Sequence, residues 1–404
     1  MRVPVFVWIV VVAFSGVWIS FGSMITPASK GHDFLNLYTA GSLALDGKFT
    51  TLHDPAVQLE REKRFAPSTK ELIPFGRPLF YSLALAPLAL IPFASAFWVF
   101  IVSQSLLLIG CWAWAARRFG SNALVFAALS LPAPLGIASG QDCTVFLALL
   151  IVAYELADRD KPIGAGAVLG LMLVKYHLML LWPVALVLQR RWKMLAGFCA
   201  VGIAEVALSL ALGGIEDARR YLALVRNSNL EDLSAYKELM ISLQGFTANL
   251  GIESLWTIGA MTLAVVAIFV IAIPVAPLWR MFAITSVASL LIVPHVHGYD
   301  ATLLLWPFLL TIFESQHPAS KIAATLLCTP LAFGFALAGK PYAIVASASL
   351  LLFFLLLAYE KFATTPEGSP SSPRFAPASS PSESPRLPLR EYARRRNIRA
   401  AACL

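Results

Sequence analysis

The feature that most constrains this chain is its succession of long apolar runs, separated by few charges. Of its 404 residues, 13% are charged and 58% hydrophobic, where an ordinary soluble domain carries about 25% charge. Too little polar surface is left for a water-soluble globule, which excludes a soluble enzyme, a disordered protein and a disulfide scaffold. Residues 3–24 form the first run, long enough to cross a hydrocarbon core of roughly 30 Å. It is longer than a signal-peptide centre and reads as an uncleaved first helix. Further runs lie at 79–91, 95–115, 123–138, 144–157, 163–188, 194–212, 255–273, 281–293, 302–313, 322–337 and 343–358. The pattern predicts an all-α polytopic membrane protein with about 12 transmembrane helices, within a range of 11 to 13.

Two polar intervals interrupt the membrane unit of residues 1–360, and a third follows it. The first, 26–75, is a long loop containing "HDFLNLYTAGSLALDGK", whose helical spacing of apolar residues predicts a helix lying along the membrane surface. The second is 213–253. The third, 361–404, is a Pro/Ser/Arg-rich tail that reads as disordered. The net charge of +8 suggests nucleic acid until its distribution is examined. The tail has eight Lys/Arg and three Glu, so it alone carries five of those charges. A basic segment beside a membrane marks the cytoplasmic side, and no nucleic-acid partner is expected. Of the five cysteines, Cys111, Cys143, Cys199 and Cys328 lie in or beside apolar runs and read as small core residues.

Orientation follows from Arg117/Arg118, Arg159/Lys161, Arg190/Arg191/Lys193, Arg280, Lys321 and the tail. All fall inside if 79–91 does not fully cross and 163–188 is broken near Lys175. A plainer threading, with both segments crossing, leaves Arg117/Arg118 and Arg159/Lys161 outside. Both place 25–75, 213–253 and 295–300 at the outer face of a cell membrane.

Polar groups at membrane depth are costly, so each needs a reason. Asp33 reads either as a general base or as the N-cap of the surface helix. The segment "VPHVHGYD" packs His295, His297, Tyr299 and Asp300 into six residues. The two histidines resemble a metal pair, but no acidic or Cys partner is spaced to complete a site, so hydrogen bonding to a polar or phosphorylated ligand is the stronger reading. Lys175 and His177 lie in mid-run, where a cation must face a polar cavity or a partner such as phosphate. Gln141 and Asp142 follow a Pro-broken helix, and a helix break with an N-cap explains them as well as a site does. Arg77 adds a cation beside Pro78. Glu155 and Glu205 sit in apolar runs and suggest helix–helix hydrogen bonds. No Walker loop, dinucleotide glycine pattern, Ser-His-Asp or Cys-His signature occurs, so any chemistry uses a donor activated elsewhere.

Six motifs in order carry a resemblance. They are "HDFLNLYTAGSLALDGK", "PLFYSLALAPLALIP", "SGQDCTVFLALL", "GAVLGLMLVKYHLMLLWPVALVLQRRWK", "SLQGF" and "VPHVHGYD". In this order they resemble glycosyltransferase family 87, the polyprenyl-phosphate-mannose-dependent α-mannosyltransferases of the integral-membrane C superfamily. The family often has Pro-Pro where this chain has Arg77-Pro78-Leu79, and Lys-Pro where it has Lys175-Tyr176. The resemblance implies an inverting transfer of mannose or another hexose from a polyprenyl-phosphate donor to a lipid or glycan acceptor. Asp33 would be the base, with Lys175, His295, His297 and Arg77 neutralising the phosphate, and with no cofactor or metal. Two other readings stand beside it: a transporter or flippase for a lipid-linked or polyanionic solute, and an enzyme using diphosphate carriers.

Overall fold

A computed structural model describes residues 32–231, 237–252, 254–337 and 339–363. The run at 3–24 and nearly all of the tail lie outside the described residues. In chain order the helices are α1 (His32–Leu45), α2 (Pro55–Phe65), α3 (Leu79–Leu85), α4 (Phe93–Phe119), α5 (Ala123–Leu129), α6 (Pro132–Ala138), α7 (Cys143–Asp158), α8 (Pro162–Leu171) and α9 (Trp182–Leu188). They continue as α10 (Trp192–Glu231), α11 (Leu243–Asn249), α12 (Leu255–Ala272), α13 (Leu278–Ile292), α14 (Leu305–Glu314), α15 (Pro318–Leu327), α16 (Pro330–Leu337) and α17 (Ile344–Ala363). No strand occurs among the described residues. Each apolar run beyond the first has become helix, because a backbone without water must satisfy its polar groups internally.

Among the described residues, five helices are long and apolar enough to cross a membrane, or six if the bent pair α15–α16 counts as one span. The expectation of about 12 full spans therefore meets a more broken architecture. Proline interrupts several runs at their middles: Pro132 separates α5 from α6, and Pro330 begins α16 after a 53° bend. The run at 163–188 breaks at Lys175, whose φ of −106° and ψ of 62° leave the helical region between α8 and α9. The segment at 79–91 forms only the short α3 and a 3-10 turn, Ala86–Leu90.

Two further expectations change. α1 is not a surface helix with a wet face: Phe34, Leu35, Leu37, Tyr38, Thr39, Ala40 and Leu43 are all buried. Its Tyr38 hydroxyl donates to the Ile91 carbonyl at 2.8 Å, tying α1 to the turn after α3. The polar interval from 213 is helical as far as Glu231, but α10 is two helices that meet at Gly214, whose φ of 71° and ψ of −179° lie outside the helical region. A Gly-Gly pair followed by mixed charges looks like a loop in sequence, but here the glycine makes a sharp corner from which a second helix starts at once.

Small residues let two helices meet backbone to backbone. A Cβ at Gly166 of α8 would run into the Met194 carbonyl, and one at Gly197 of α10 into the Ile163 carbonyl. Close approach of this kind replaces the hydrophobic drive that lipid cannot supply. Outward, Leu106, Ile203, Leu255 and Leu263 are more than half exposed, an apolar coat that suits acyl chains and not water. Cys199 also faces outward, whereas Cys111, Cys143 and Cys328 are buried; its place on the outer side of α10 corrects its reading as a core residue.

Charged residues are gathered away from the lipid-facing stretches. Arg118 at the end of α4 reaches Asp158 (3.1 Å) and Glu155 (4.0 Å) of α7 and Glu314 (3.7 Å) of α14. Arg159 pairs with Glu155 at 3.1 Å. Glu155 therefore faces α4 only through a long ion pair, its Oε1 has no hydrogen bond among the described residues, and its short pair with Arg159 lies one turn on along its own helix. Nearby in the chain, Glu360 of α17 accepts from the Ser315 hydroxyl at 2.7 Å and faces Arg280 of α13 at 4.0 Å. α7 runs from Cys143 to Asp158, about 24 Å at 1.5 Å per residue. The basic clusters at its end are thus a helix length away from the residues at its start.

Candidate active site

Polar residues from five parts of the chain meet at the other end of α7. They line a cavity of about 250 Å³ whose walls include Asp33, Asn36, Arg77, Gln141, Lys175, His177, His295, Tyr299 and Asp300. Each wall is placed by a local feature. Asp33 sits in the first turn of α1, one residue past its start at His32; it is therefore not the N-cap, though its charge still favours that helix end. Lys175 reaches inward because the chain leaves helical geometry at that residue. Gln141 and Asp142 follow Gly140, whose φ of 75° turns the chain between α6 and α7 while Phe34 of α1 packs where a side chain would be. Tyr299 and Asp300 belong to a 3-10 turn, Gly298–Leu304, that begins beside the same wall.

Asp142 occupies the N-cap position of α7 but makes no cap bond with its side chain. Its carboxylate accepts from Arg77 Nη2 at 2.8 Å through Oδ1 and from the Tyr81 hydroxyl at 2.7 Å through Oδ2. Arg77 Nη2 also donates to Gln141 Oε1 at 3.2 Å. Lys175 Nζ donates to Asp300 Oδ1 at 2.7 Å, with Cys143 Sγ at 3.4 Å and Asp142 Oδ1 at 3.8 Å. Asp300 Oδ2 accepts the His297 backbone N–H at 3.0 Å, closing the capping box of the turn. Two cations are thus held by two carboxylates in a buried lattice, and Asp33 faces it from α1. Beneath them, the Phe146 ring lies 5.9 Å from the Arg77 guanidinium and 5.5 Å from the Lys175 ammonium.

Two buried donors or acceptors in this lattice lack partners among the described residues: Arg77 Nη1 and His295 Nδ1. Buried polar atoms are ordinarily satisfied, so unpaired ones beside a cavity suit an occupant with polar groups. Burial raises the Asp33 carboxyl above its ordinary range, while a hydrogen bond from Gln141 and the charges of Lys175 and Arg77 pull the other way. For Asp300 burial also pushes up, but the Lys175 ammonium outweighs it and holds the carboxyl down at about 2.

Eight of the nine residues singled out from sequence share this cavity: Asp33, Arg77, Gln141, Lys175, His177, His295, Tyr299 and Asp300. His297 does not line it. Its ring packs behind, edge-on to the His295 ring at 4.8 Å and tilted against the Tyr299 ring at 5.2 Å. Burial depresses its imidazole to about 4, with His295 adding to the effect. His297 thus stands behind the cavity wall rather than in it, and its burial disfavours the charged imidazole. The two histidines do approach each other, yet among the described residues no group of three or more His, Cys, Asp or Glu side chains is arranged to hold a metal ion. Sequence reasoning left Asp142 open between a cap and a site, and it missed Tyr81 as a member of the lattice. The signal for Asp142 was its place beside Gln141 after a helix break; Tyr81 gave none beyond lying one turn past Arg77.

A second cavity of about 430 Å³ adjoins the first, sharing Tyr176 and Val225 with it. Its walls are largely apolar, from Leu79 and Phe80 of α3, Leu173, and Val206, Leu210 and Leu222 of α10. Glu205 also faces it; its Oε1 is buried without a partner among the described residues, so the helix–helix hydrogen bond expected of it is not formed there. A polar chamber beside an apolar one, with Tyr176 and Val225 common to both walls, suits a ligand with a charged head and a hydrocarbon tail.

No curated protein and no solved structure matches this chain significantly. The model of glycosyltransferase family 87 does match, over residues 75–296, more than half of the chain. That interval contains Arg77, the Gln141–Asp142 corner, the break at Lys175 and His295, and it stops just short of Tyr299 and Asp300. The all-helical architecture with several spans of membrane length agrees with the match, and the chain is a member of glycosyltransferase family 87, a multi-pass membrane glycosyltransferase.

Proposed function

We propose that this enzyme moves mannose or another hexose from a polyprenyl-phosphate donor to a lipid or glycan acceptor, with inversion, at the outer face of a cell membrane. The observation that carries the reading is the pair of neighbouring cavities, one lined by Arg77, Lys175 and Asp33, the other apolar. The polar chamber suits the phosphate and sugar, and the apolar one suits the isoprenoid. α1 and α7, of 14 and 16 residues, both begin at the polar chamber, so their positive dipole ends add to its attraction for an anion. The basic clusters lie at the far end of α7, and the positive-inside rule supports reading that end as cytoplasmic and the chamber as facing outward.

In the proposed step, Asp33 takes the proton of the acceptor hydroxyl. The oxygen attacks the anomeric carbon opposite the phosphate, the sugar–oxygen bond breaks, and its electron pair stays on the phosphate oxygen. Positioned cations stabilise that developing charge. Arg77 offers its unpaired Nη1, and Lys175 its ammonium; Gln141, His295 and Tyr299 are placed to hydrogen-bond the head group. A good leaving group needs only one carboxylate, acting as base, and such a base contributes roughly 10²- to 10⁴-fold.

The test is the Asp33→Asn variant, purified in detergent with polyprenyl-phosphate mannose and an extracted acceptor pool. Transfer should fall by about 10²-fold or more, while thermal unfolding stays close to wild type and polyprenyl monophosphate binds no more weakly. Normal turnover in that variant would remove Asp33 from the base role. Inhibition by polyprenyl diphosphate but not by monophosphate would point to a diphosphate donor instead. Translocation of the lipid-linked sugar in vesicles without its consumption would return the transporter reading.

A further inference from the structure

The segment from 72 to 78 forms one wall of the polar cavity through Ile73, Pro74, Gly76 and Arg77, yet it belongs to no helix or strand. Its backbone is held from behind by side chains of the preceding layer at every second residue. The Ile73 N–H donates to Glu62 Oε2 at 3.3 Å, the Phe75 N–H donates to Gln58 Oε1 at 3.0 Å, and the Arg77 carbonyl meets His53 Nε2 at 2.9 Å. Alternate residues of an extended chain present their backbone groups to one side, so this spacing is what a strap laid across α2 requires.

The last of the three contacts differs from the others because it is itself backed. His53 Nδ1 lies 2.7 Å from Asp217 Oδ2, and the His53 backbone N–H donates to Asp217 Oδ1 at 3.0 Å. Both side chains are almost wholly buried. Asp217 comes from α10, three residues past its bend at Gly214, and Arg220 on the same helix donates to the Thr50 carbonyl at 2.7 Å. The far half of α10 therefore clamps the 49–53 turn, which clamps the backbone of Arg77, whose guanidinium enters the cavity. A carboxylate that orients an imidazole, which orients a functional group, is the arrangement by which outer residues tune inner ones.

We infer that His53, backed by Asp217, is a positioning residue that fixes Arg77 against the phosphate of the donor. This rests on the anion-site reading of the cavity given above. Neither residue touches the cavity that holds Asp33; both line the apolar chamber behind it. Their effect on a ligand must therefore pass through the Arg77 backbone.

The test measures binding of undecaprenyl monophosphate to the full-length enzyme in detergent. One net hydrogen bond is worth enough that His53→Leu, which keeps bulk but has no donor, should weaken binding by about five- to tenfold. His53→Gln, whose amide can donate to the Arg77 carbonyl, should stay within about threefold of wild type. Arg77→Ala should weaken binding at least as much as His53→Leu, and the double variant should bind no more weakly than Arg77→Ala alone, because both act through one guanidinium. Should the leucine variant fail to fold, Asp217→Ala asks the same question, and it too should bind several-fold more weakly. Wild-type binding by His53→Leu or Asp217→Ala, or losses that multiply in the double variant, would overturn the positioning role while Arg77→Ala still lost affinity. Wild-type binding by Arg77→Ala as well would overturn the anion-site reading, and the positioning role with it.

Discussion

Removing the Lys175 ammonium tests the buried charge lattice most directly. Lys175 is 5% exposed, Asp300 6% and Asp142 0%. In Lys175→Met, Asp142 keeps Arg77 and Tyr81 as partners, but Asp300 keeps just the His297 backbone N–H on one oxygen and a long Cys143 thiol contact, 3.9 Å, on the other. The penalty therefore falls on Asp300, and breaking one side of a buried pair costs about 3–5 kcal/mol. For a chain of this size that is a fall in unfolding temperature of roughly 4–6 °C, read by tryptophan fluorescence in detergent. The second variant, Lys175→Met with Asp300→Asn, removes the stranded charge yet keeps an oxygen for the His297 N–H. It should recover more than half of the loss. The pH profile gives an independent check. Because the Asp300 carboxyl is held at about 2 in the fold, against 3.8 ordinarily, the pairing stabilises fully above pH 4 and fades as pH falls towards 2. Wild type and single variant should converge over that acid window. A single variant as stable as wild type at pH 7, or a double variant less stable than the single, would refute the reasoning.

Two further variants probe the frame around the site. Gly166→Ala places a methyl against the Met194 carbonyl and should separate α8 from α10 at a cost of about 1–3 kcal/mol; unchanged unfolding would mean the crossing is looser than described. Glu62 is buried with Oε1 unpaired among the described residues, and burial raises its carboxyl to about 7, with the Ile73 N–H opposing. Its folded value exceeds its unfolded one, so the stability it allows is present below pH 4.5 and lost as pH rises through 7, by about 2 kcal/mol after allowance for solvent screening. Glu62→Gln should match wild type at pH 5 and unfold at higher temperature than wild type at pH 8. Parallel unfolding profiles across that range would contradict it.

Much of the cavity was legible in sequence because the membrane makes polarity conspicuous. Lys175 in mid-run, Asp33 beyond the first run and Tyr299–Asp300 between two runs each stood out, and the fold brings them together. The break at Lys175 was legible for the same reason, since a lysine there must turn inward. The missing parts depended on distance along the chain. Asp142 meets Tyr81 and Arg77 across more than 60 residues, and His53 meets Asp217 across 164. Nothing local distinguishes those partners from capping or surface residues. The helix beyond Gly214 was hidden because charges on a helix and charges in a loop read alike.

The composition of the charge lattice bears on how a reaction there would proceed. Arg77 and Lys175 are matched by Asp142 and Asp300, which leaves Asp33 as the uncompensated carboxylate of the group. Under the proposed chemistry a phosphodiester donor brings one negative charge and leaves as a monoester with a second. In the same step Asp33 gains a proton and loses its own. The chamber's total charge is then the same before and after the bond breaks, so the surrounding dipoles need not reorganise around a new charge. Donor binding and Asp33 ionisation instead oppose each other: low pH favours the loaded enzyme, and higher pH favours the base.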